Sequence, residues 1–271
     1  MIKLSIITIN KNNYRGLQRT LHSISIQTNL NIEYIIVYGN SQDDSQNLIQ
    51  QYADQLGDNF KWISEKDTGI FQAMNKGIAM ASGQYVQFLN SGDCLYDANV
   101  VQLMLSALEE YNDPDILYGN MVKEFTNGTL YVDKGFEGRI VTFFDMFSGT
   151  LNHSSALIRK KLFEQYGCYD ENLKIVADWK WYFQIIMQQG IQPVYVDKNV
   201  TLFDMTGISN TNKLLEAEER KQFLLEILPT YVYDDYISRC YNIKQLNRIK
   251  HSTIGWKLFN YLDTLLVKTN K

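Results

Sequence analysis

The chain has 271 residues, 45% of them hydrophobic and 21% charged, enough to bury a sizeable core and too apolar for wholesale disorder. Its three cysteines, Cys94, Cys168 and Cys240, form no Cys-x-x-Cys pair, which argues against a disulfide framework or a zinc ribbon and for free thiols in a reducing compartment. The net charge of −4 is unevenly spread: from Cys240 to Lys271 six basic residues face Asp263 alone, a net of +5, while the remainder carries 20 basic against 29 acidic residues, or −9. An acidic body argues against nucleic-acid binding, and a basic tail suits an anionic lipid surface or a partner.

In chain order, residues 3–9 are an Ile-rich run expected to form a strand buried on both faces. The apolar part of that N-terminus is too short for a signal peptide and lacks a small-residue cleavage site. A predicted helix at 17–26 follows, then a strand at 32–38, a helix at 45–56, a strand at 60–64 and a helix at 70–80. Ser82-Gly83 is expected to cap that helix. A strand at 85–89 and a helix at 98–111 complete the first half. After Tyr118 the pattern changes. Residues 121–125 and 129–132 flank Asn127-Gly128 as a hairpin, and an irregular stretch carries Phe143, Phe144 and Phe147. A short strand at 155–158, a short helix at 161–166 and a helix at 178–189 come next. Two short strands are expected at 191–196 and 200–203. From Lys213 the pattern is helical, broken at Pro229 and near Ser252-Thr253. No run reaches the ~18 apolar residues of a membrane-spanning helix, so the expected location is cytoplasmic or the inner membrane surface.

Strands separated by helices of this length indicate parallel units in a doubly wound sheet, whose ligands sit at the carboxyl ends of the strands. The segments to search are 8–12, 38–44, 65–69 and 90–93. Asp93, on the Asn-Ser-Gly-Asp turn after the fourth strand, reads either as a ligand for a cation shared with phosphate or as a cap on the next helix. Asp178, in Val-Ala-Asp-Trp-Lys-Trp, falls at or near the first turn of the helix expected at 178–189, where an Asp can serve as a cap. Asn10-Lys-Asn-Asn-Tyr14 is neither the Gly-x-Gly-x-x-Gly of a dinucleotide-binding oxidoreductase nor the Gly-rich, Arg/Lys-bearing loop of a sugar-nucleotide pyrophosphorylase.

Several blocks carry a more specific likeness: SIITINKNN at 5–13, TLHSISIQ at 20–27, IEYIIVYGNSQDDS at 32–45, ISEKDTGIFQAMNKGIAMASGQYVQFLNSGDCLY at 63–96, and LNHSSALIRKKLFEQYGCYDENLKIVADWKWYFQII at 151–186. Over roughly residues 3–210 the chain resembles the family-two inverting glycosyltransferases of the GT-A fold, most of all the colanic-acid and capsule biosynthesis branch. That resemblance implies an α/β fold, a Rossmann-like, mostly parallel sheet flanked by helices with a helical C-terminal extension. The transferase domain would cover 1–210, with a nucleotide-binding half at 1–95 and an acceptor-binding half at 96–210, and the extension would cover 211–271.

The resemblance further implies transfer of a hexose from a nucleotide sugar, UDP being the usual nucleotide, to an acceptor hydroxyl in bacterial surface glycan synthesis. The acceptor would be a glycan or a lipid-linked glycan. Asp93 matches the ligand of Mn²⁺ or Mg²⁺ on the donor diphosphate, and Asp178 the catalytic base. Thr8, Asn10, Asp43, Asp67, Asn75 and Ser91 match donor-side positions; His153 and Trp179 fall on the acceptor side. Four positions depart from the pattern, among them Met74, where the wider family often has Arg. Relatives often carry Asp at the positions of Tyr38, Gly39 and Gly92, which leaves a non-catalytic nucleotide-sugar-binding protein as the rival reading. Tyr38 would either stack on the base or pack inward. The loop 205–210 resembles a Gly-Ser lid, and the apolar segment 254–267 suits shallow membrane contact or a second subunit in a homodimer.

Overall fold

The computed structural model describes residues 2–29, 31–207 and 212–252. The end of the expected lid, from residue 208, and the segment 254–267 with its expected membrane or subunit contact lie outside the described residues. The chain divides into two compact units, 1–220 and 221–271.

The first half alternates as the periodicity requires: β1 (Leu4–Asn10), α1 (Tyr14–Ser25), β2 (Glu33–Tyr38), α2 (Ser45–Leu56), β3 (Phe60–Ser64), α3 (Ile70–Met80) and β4 (Tyr85–Phe88). All of β2 and nearly all of β1 are buried, because a sheet covered by helices hides both faces of its strands. α1 starts where the Asn13 side chain accepts the Gly16 N–H at 3.0 Å. Residue 83 is Gly for a different reason from the capping expected of it. α3 closes at Ala81, and a Cβ at 83 would lie 2.6 Å from Ser5 Oγ and 2.7 Å from Ser5 N, so glycine is needed for close approach to β1.

The second half runs β5 (Cys94–Leu95), α4 (Val100–Glu110), β6 (Ile116–Glu124), β7 (Leu130–Asp133), α5 (Phe143–Ser148), β8 (Ala156–Arg159), α6 (Lys161–Tyr166), α7 (Ala177–Phe183), β9 (Val194–Asp204), α8 (Lys213–Ile227) and α9 (Thr230–His251). Three sequence expectations change here. The irregular Phe-rich stretch contains a helix, α5, held by a capping box between Thr142 and Asp145. The helix expected to continue to residue 189 ends at Phe183 and loosens into a π-helical turn, Gln184–Gln188. The two strands expected between 191 and 203 are one, β9. Its polar middle pairs with β6 across an irregularity in register around Asn120, whose Nδ2 donates to Asp197 Oδ1 and Asn199 Oδ1 at 3.0 and 3.2 Å.

The strand order is β3-β2-β1-β4-β8-β6-β9-β5, with β7 paired to β6. Pairing is parallel across β3, β2, β1 and β4; β8 then runs antiparallel to both β4 and β6, and β6 is parallel to β9. The sheet is therefore parallel in its first half and mixed beyond β4. Chain order reverses between β1 and β4, the position at which connections leave to opposite faces and open a crevice. Leu4, Ile6, Leu17, Leu21, Ile36 and Tyr38 belong to the hydrophobic core beneath it. Among the described residues, no helix is long and apolar enough to cross a membrane.

Candidate active site

The crevice between β1 and β4 opens into a cavity of about 530 Å³ lined by Asn10 and Lys11 from the end of β1, Asp67 to Ile70 before α3, Asn90, Ser91 and Asp93 after β4, and Asp204 at the end of β9. Three of the four strand-end segments singled out by sequence contribute; of 38–44 none does, and β2 supplies only Val37. The turn after β4 is fixed to β1 by Ser91 N–H donating to the Ile9 carbonyl at 3.3 Å and Ser91 Oγ donating to Asn10 Oδ1 at 2.8 Å. Asn10 is 3% exposed, and its Nδ2 has no hydrogen-bond partner. An unmet buried donor at a cavity wall is costly unless a ligand oxygen meets it.

Asp93 is 4% exposed, and its Oδ1 accepts the Asp204 N–H at 3.0 Å. Burial pushes its carboxyl up to about 7, partly offset by that backbone bond and by His153. Among the described residues, no three His, Cys, Asp or Glu side chains are grouped to hold a metal by themselves. Asp93 and Asp204 nevertheless line one cavity, and two carboxylates there suit a hard cation whose remaining ligands are water and the oxygens of a bound anion. Asp67 is paired with Lys76 Nζ at 2.8 Å. Both positions where relatives often carry Asp and this chain has Gly lie under a carboxylate from elsewhere: a Cβ at 39 would be 3.3 Å from Asp67 Oδ2, and one at 92 would be 2.8 Å from Asp204 Oδ2.

A second cavity, of about 500 Å³, adjoins the first and shares Asn90 and His153 with it. Asp178, in the first turn of α7, lines this one. His153 stands between them: Nδ1 lies 2.8 Å from Asp178 Oδ2, and Nε2 lies 3.3 Å from Asn90 Nδ2. Burial works against the charged ring, and the adjacent Asp178 carboxylate outweighs it, so the His153 pKa lies above its ordinary value. With the ring neutral, Nδ1–H donates to Asp178 and Nε2 accepts from the Asn90 amide. Asn90 Oδ1, buried without a partner, is the group a protonated ring would call for.

Other sequence candidates take structural positions. Thr8 is fully buried, its Oγ1 donating to the Leu89 carbonyl and accepting from Tyr34 OH, away from either cavity. Asp43 accepts the Tyr14 and Ser45 N–H groups, and Asn75 holds the loop after α6 through Tyr169 N, Tyr169 O and Glu171. Trp179 lines the second cavity but is 2% exposed; its indole N–H goes to the Met146 carbonyl, and Arg220 stacks on the ring at 4.6 Å. Tyr38 packs inward, its hydroxyl on the Ser41 carbonyl at 3.0 Å. Asp204 escaped the sequence reading; the available signal was an acid ending a strand just before a Gly-containing loop.

The sequence profile described as glycosyl transferase family 2 matches residues 5–167. The chain belongs to that family. A PGL/p-HBAD biosynthesis glycosyltransferase of Mycobacterium bovis is 26% identical over 212 residues, covering 76% of this chain and 79% of the relative. An uncharacterized glycosyltransferase of Mycobacterium tuberculosis is 30% identical over 212 residues, 76% of this chain and 77% of its own length. Among solved structures, S. aureus TarS 1–349 in complex with UDP superposes with a TM-score of 0.62 at 19% identity, over 74% of this chain and 60% of that one. The mannosyltransferase PcManGT from Pyrobaculum calidifontis, in complex with GDP-Man and Mn²⁺, gives a TM-score of 0.63 at 12% identity over 98% of this chain and 80% of that one. The fold is thus GT-A, a mixed curled sheet flanked by helices with a C-terminal helical extension.

Proposed function

We propose that the protein is an inverting glycosyltransferase that moves a hexose from a nucleotide sugar, UDP being the expected nucleotide, to a hydroxyl of a glycan or lipid-linked glycan acceptor in surface glycan synthesis. The observation that carries this reading is the junction of two cavities at His153 and Asn90, with a phosphate-suited acidic cleft on one side and Asp178 on the other. The donor diphosphate occupies the crevice between β1 and β4, where Asn10 Nδ2 awaits an acceptor oxygen. UDP in TarS and GDP-Man in PcManGT support a nucleotide there.

Inversion needs one base and no covalent sugar–enzyme bond. Asp178 takes the proton of the attacking hydroxyl as that oxygen adds to the anomeric carbon from the face opposite the diphosphate. His153 Nδ1 engages Oδ2 and leaves the other oxygen for the acceptor; the same contact turns the carboxylate toward the junction. Asp93 and Asp204 would hold Mn²⁺ or Mg²⁺, which when bound offsets the charge gained by the departing nucleoside diphosphate.

The test is release of nucleoside diphosphate from a panel of nucleotide sugars by wild type and Asp178→Asn. The wild type should turn over one donor, and Asp178→Asn should lower kcat by about 10²- to 10⁴-fold while donor affinity holds. Donor binding without turnover by the wild type would identify a binding protein instead.

A further inference from the structure

We propose that Asp204, at the end of β9, supplies the second carboxylate of the donor-side cation site, in the space that Gly92 leaves open. The proposal rests on the transferase reading above and concerns how this chain completes that site.

Four observations converge. Gly92 has φ +112, a conformation that L side chains rarely adopt, so the turn after β4 is shaped around a missing side chain. A Cβ there would stand 2.8 Å from Asp204 Oδ2, which forces a shift, and 3.3 Å from Asp204 Cβ, tighter than carbon atoms usually pack, so a side chain at 92 would push the Asp204 carboxylate from its present position. The Asp204 N–H donates to Asp93 Oδ1 at 3.0 Å, which locks the two residues together although they are 111 positions apart in sequence. Asp204 Oδ1 accepts the Thr206 N–H at 2.9 Å. One oxygen of each carboxylate is thereby engaged by backbone, and the Oδ2 atoms have no hydrogen-bond partner among the described residues.

The acids alone would be a repelling pair. A second feature of the same cavity points to a ligand: Asn10, 3% exposed, with Nδ2 unpartnered. A donor for anionic oxygen beside two free carboxylate oxygens matches a divalent cation bridging protein carboxylates and diphosphate. An empty anion hole would show donors alone. Mg²⁺ and Mn²⁺ accept this mixed set, with one or two carboxylates, phosphate oxygens and water. Delivery of the second carboxylate from β9 also couples the cation to the segment that follows it, since Asp204 leads directly into Thr206 and Gly207, which line the cavity.

The experiment measures Mn²⁺ binding by electron paramagnetic resonance titration of the full-length protein with and without UDP, GDP serving as the second nucleotide. Wild type is compared with Asp204→Asn and Asp204→Ala, and with Asp197→Asn, an acid on the same strand outside the cavity. Thermal melting confirms that each variant is folded. Both Asp204 variants should weaken nucleotide-dependent Mn²⁺ binding by about tenfold or more, with metal-free nucleotide affinity unchanged and Asp197→Asn like wild type. Asp204 variants that bind Mn²⁺ as wild type does, or nucleotide binding indifferent to Mn²⁺, overturn this inference and leave the transferase reading standing. A wild type that binds neither nucleotide would sink the transferase reading itself.

Discussion

The two cavities are held together in different ways. The first lies at the ends of parallel strands, and its walls are positioned by the sheet ladder: Ser91 N–H reaches the Ile9 carbonyl, and Leu89 N–H the Ile7 carbonyl at 2.9 Å. The second is assembled from distant segments by single buried side chains. Glu219 alone accepts the N–H groups of Lys174, Ile175 and Val176 at 2.7, 3.0 and 3.2 Å, and so fixes the turn that leads into Asp178. Arg220 donates to the Gly149 carbonyl and stacks on Trp179. A ladder shares its load over many backbone bonds, whereas a clamp concentrates it in one residue. The cavity that holds Asp178 is therefore the more vulnerable to point changes.

The sharpest way to break that contrast is Glu219→Ala. It leaves three backbone donors unmet, and unfolding in urea should show a loss of about 3 kcal/mol. Because Glu219 orders the Asp178 turn, kcat should fall while nucleotide affinity holds; parallel loss of both would erase the distinction between the cavities.

A smaller effect is expected at Glu33, the buried acid under the first half of the sheet. Its carboxylate accepts Ser5 Oγ at 2.6 Å, Ser82 N at 2.7 Å and Ser82 Oγ at 2.8 Å, and pairs with Lys61. Burial alone would raise its pKa, but Lys61, Ser5 and Ser82 outweigh burial and lower it below the ordinary 4.5. On acidification the unfolded chain takes up this proton first. The stabilisation is thus present above about pH 4.5 and is lost as pH falls through the lower folded value. Glu33→Gln should cost about 2 kcal/mol at pH 7, and the gap from wild type should close below pH 4.5 in denaturation curves. Nucleotide affinity at pH 7 should not change.

The smallest effect belongs to Thr8→Val. Removing the hydroxyl between Leu89 O and Tyr34 OH should cost about 1 kcal/mol and leave nucleotide affinity untouched. Weaker nucleotide binding by Thr8→Val would return Thr8 to the donor site.

Much of the first half was legible before any coordinates. The bounds of α2, β3 and α3 follow from local periodicity and turn residues, because parallel strands and their covering helices bury long, regular stripes. The polar run Asp197-Lys198-Asn199 concealed the continuity of β9, since the Asp197 and Asn199 side chains are met across the sheet by Asn120 and not by local alternation. β5 is two residues long, too short for any periodic signal. Among site residues, Asn10, Ser91, Asp93 and Asp67 were placed near the crevice by their position at strand ends. Thr8 lies two residues before the end of β1, on the same face as Asn10 but deeper in the sheet, where it is fully buried and its hydroxyl is taken up by the Leu89 carbonyl and Tyr34 OH.

By itself the sequence determined the alternation of strands and helices, the family, and the acids at 93 and 178 as groups worth testing. Those features are local, written in spacings of a few residues. Only the tertiary structure decided that His153 stands against Asp178, that Glu219 closes the turn before it, and that Asp204 meets Asp93 from 111 residues away over a glycine. The reason is geometric: a strand's end is marked by its own residues, but which distant strand ends beside it depends on how the whole sheet is threaded.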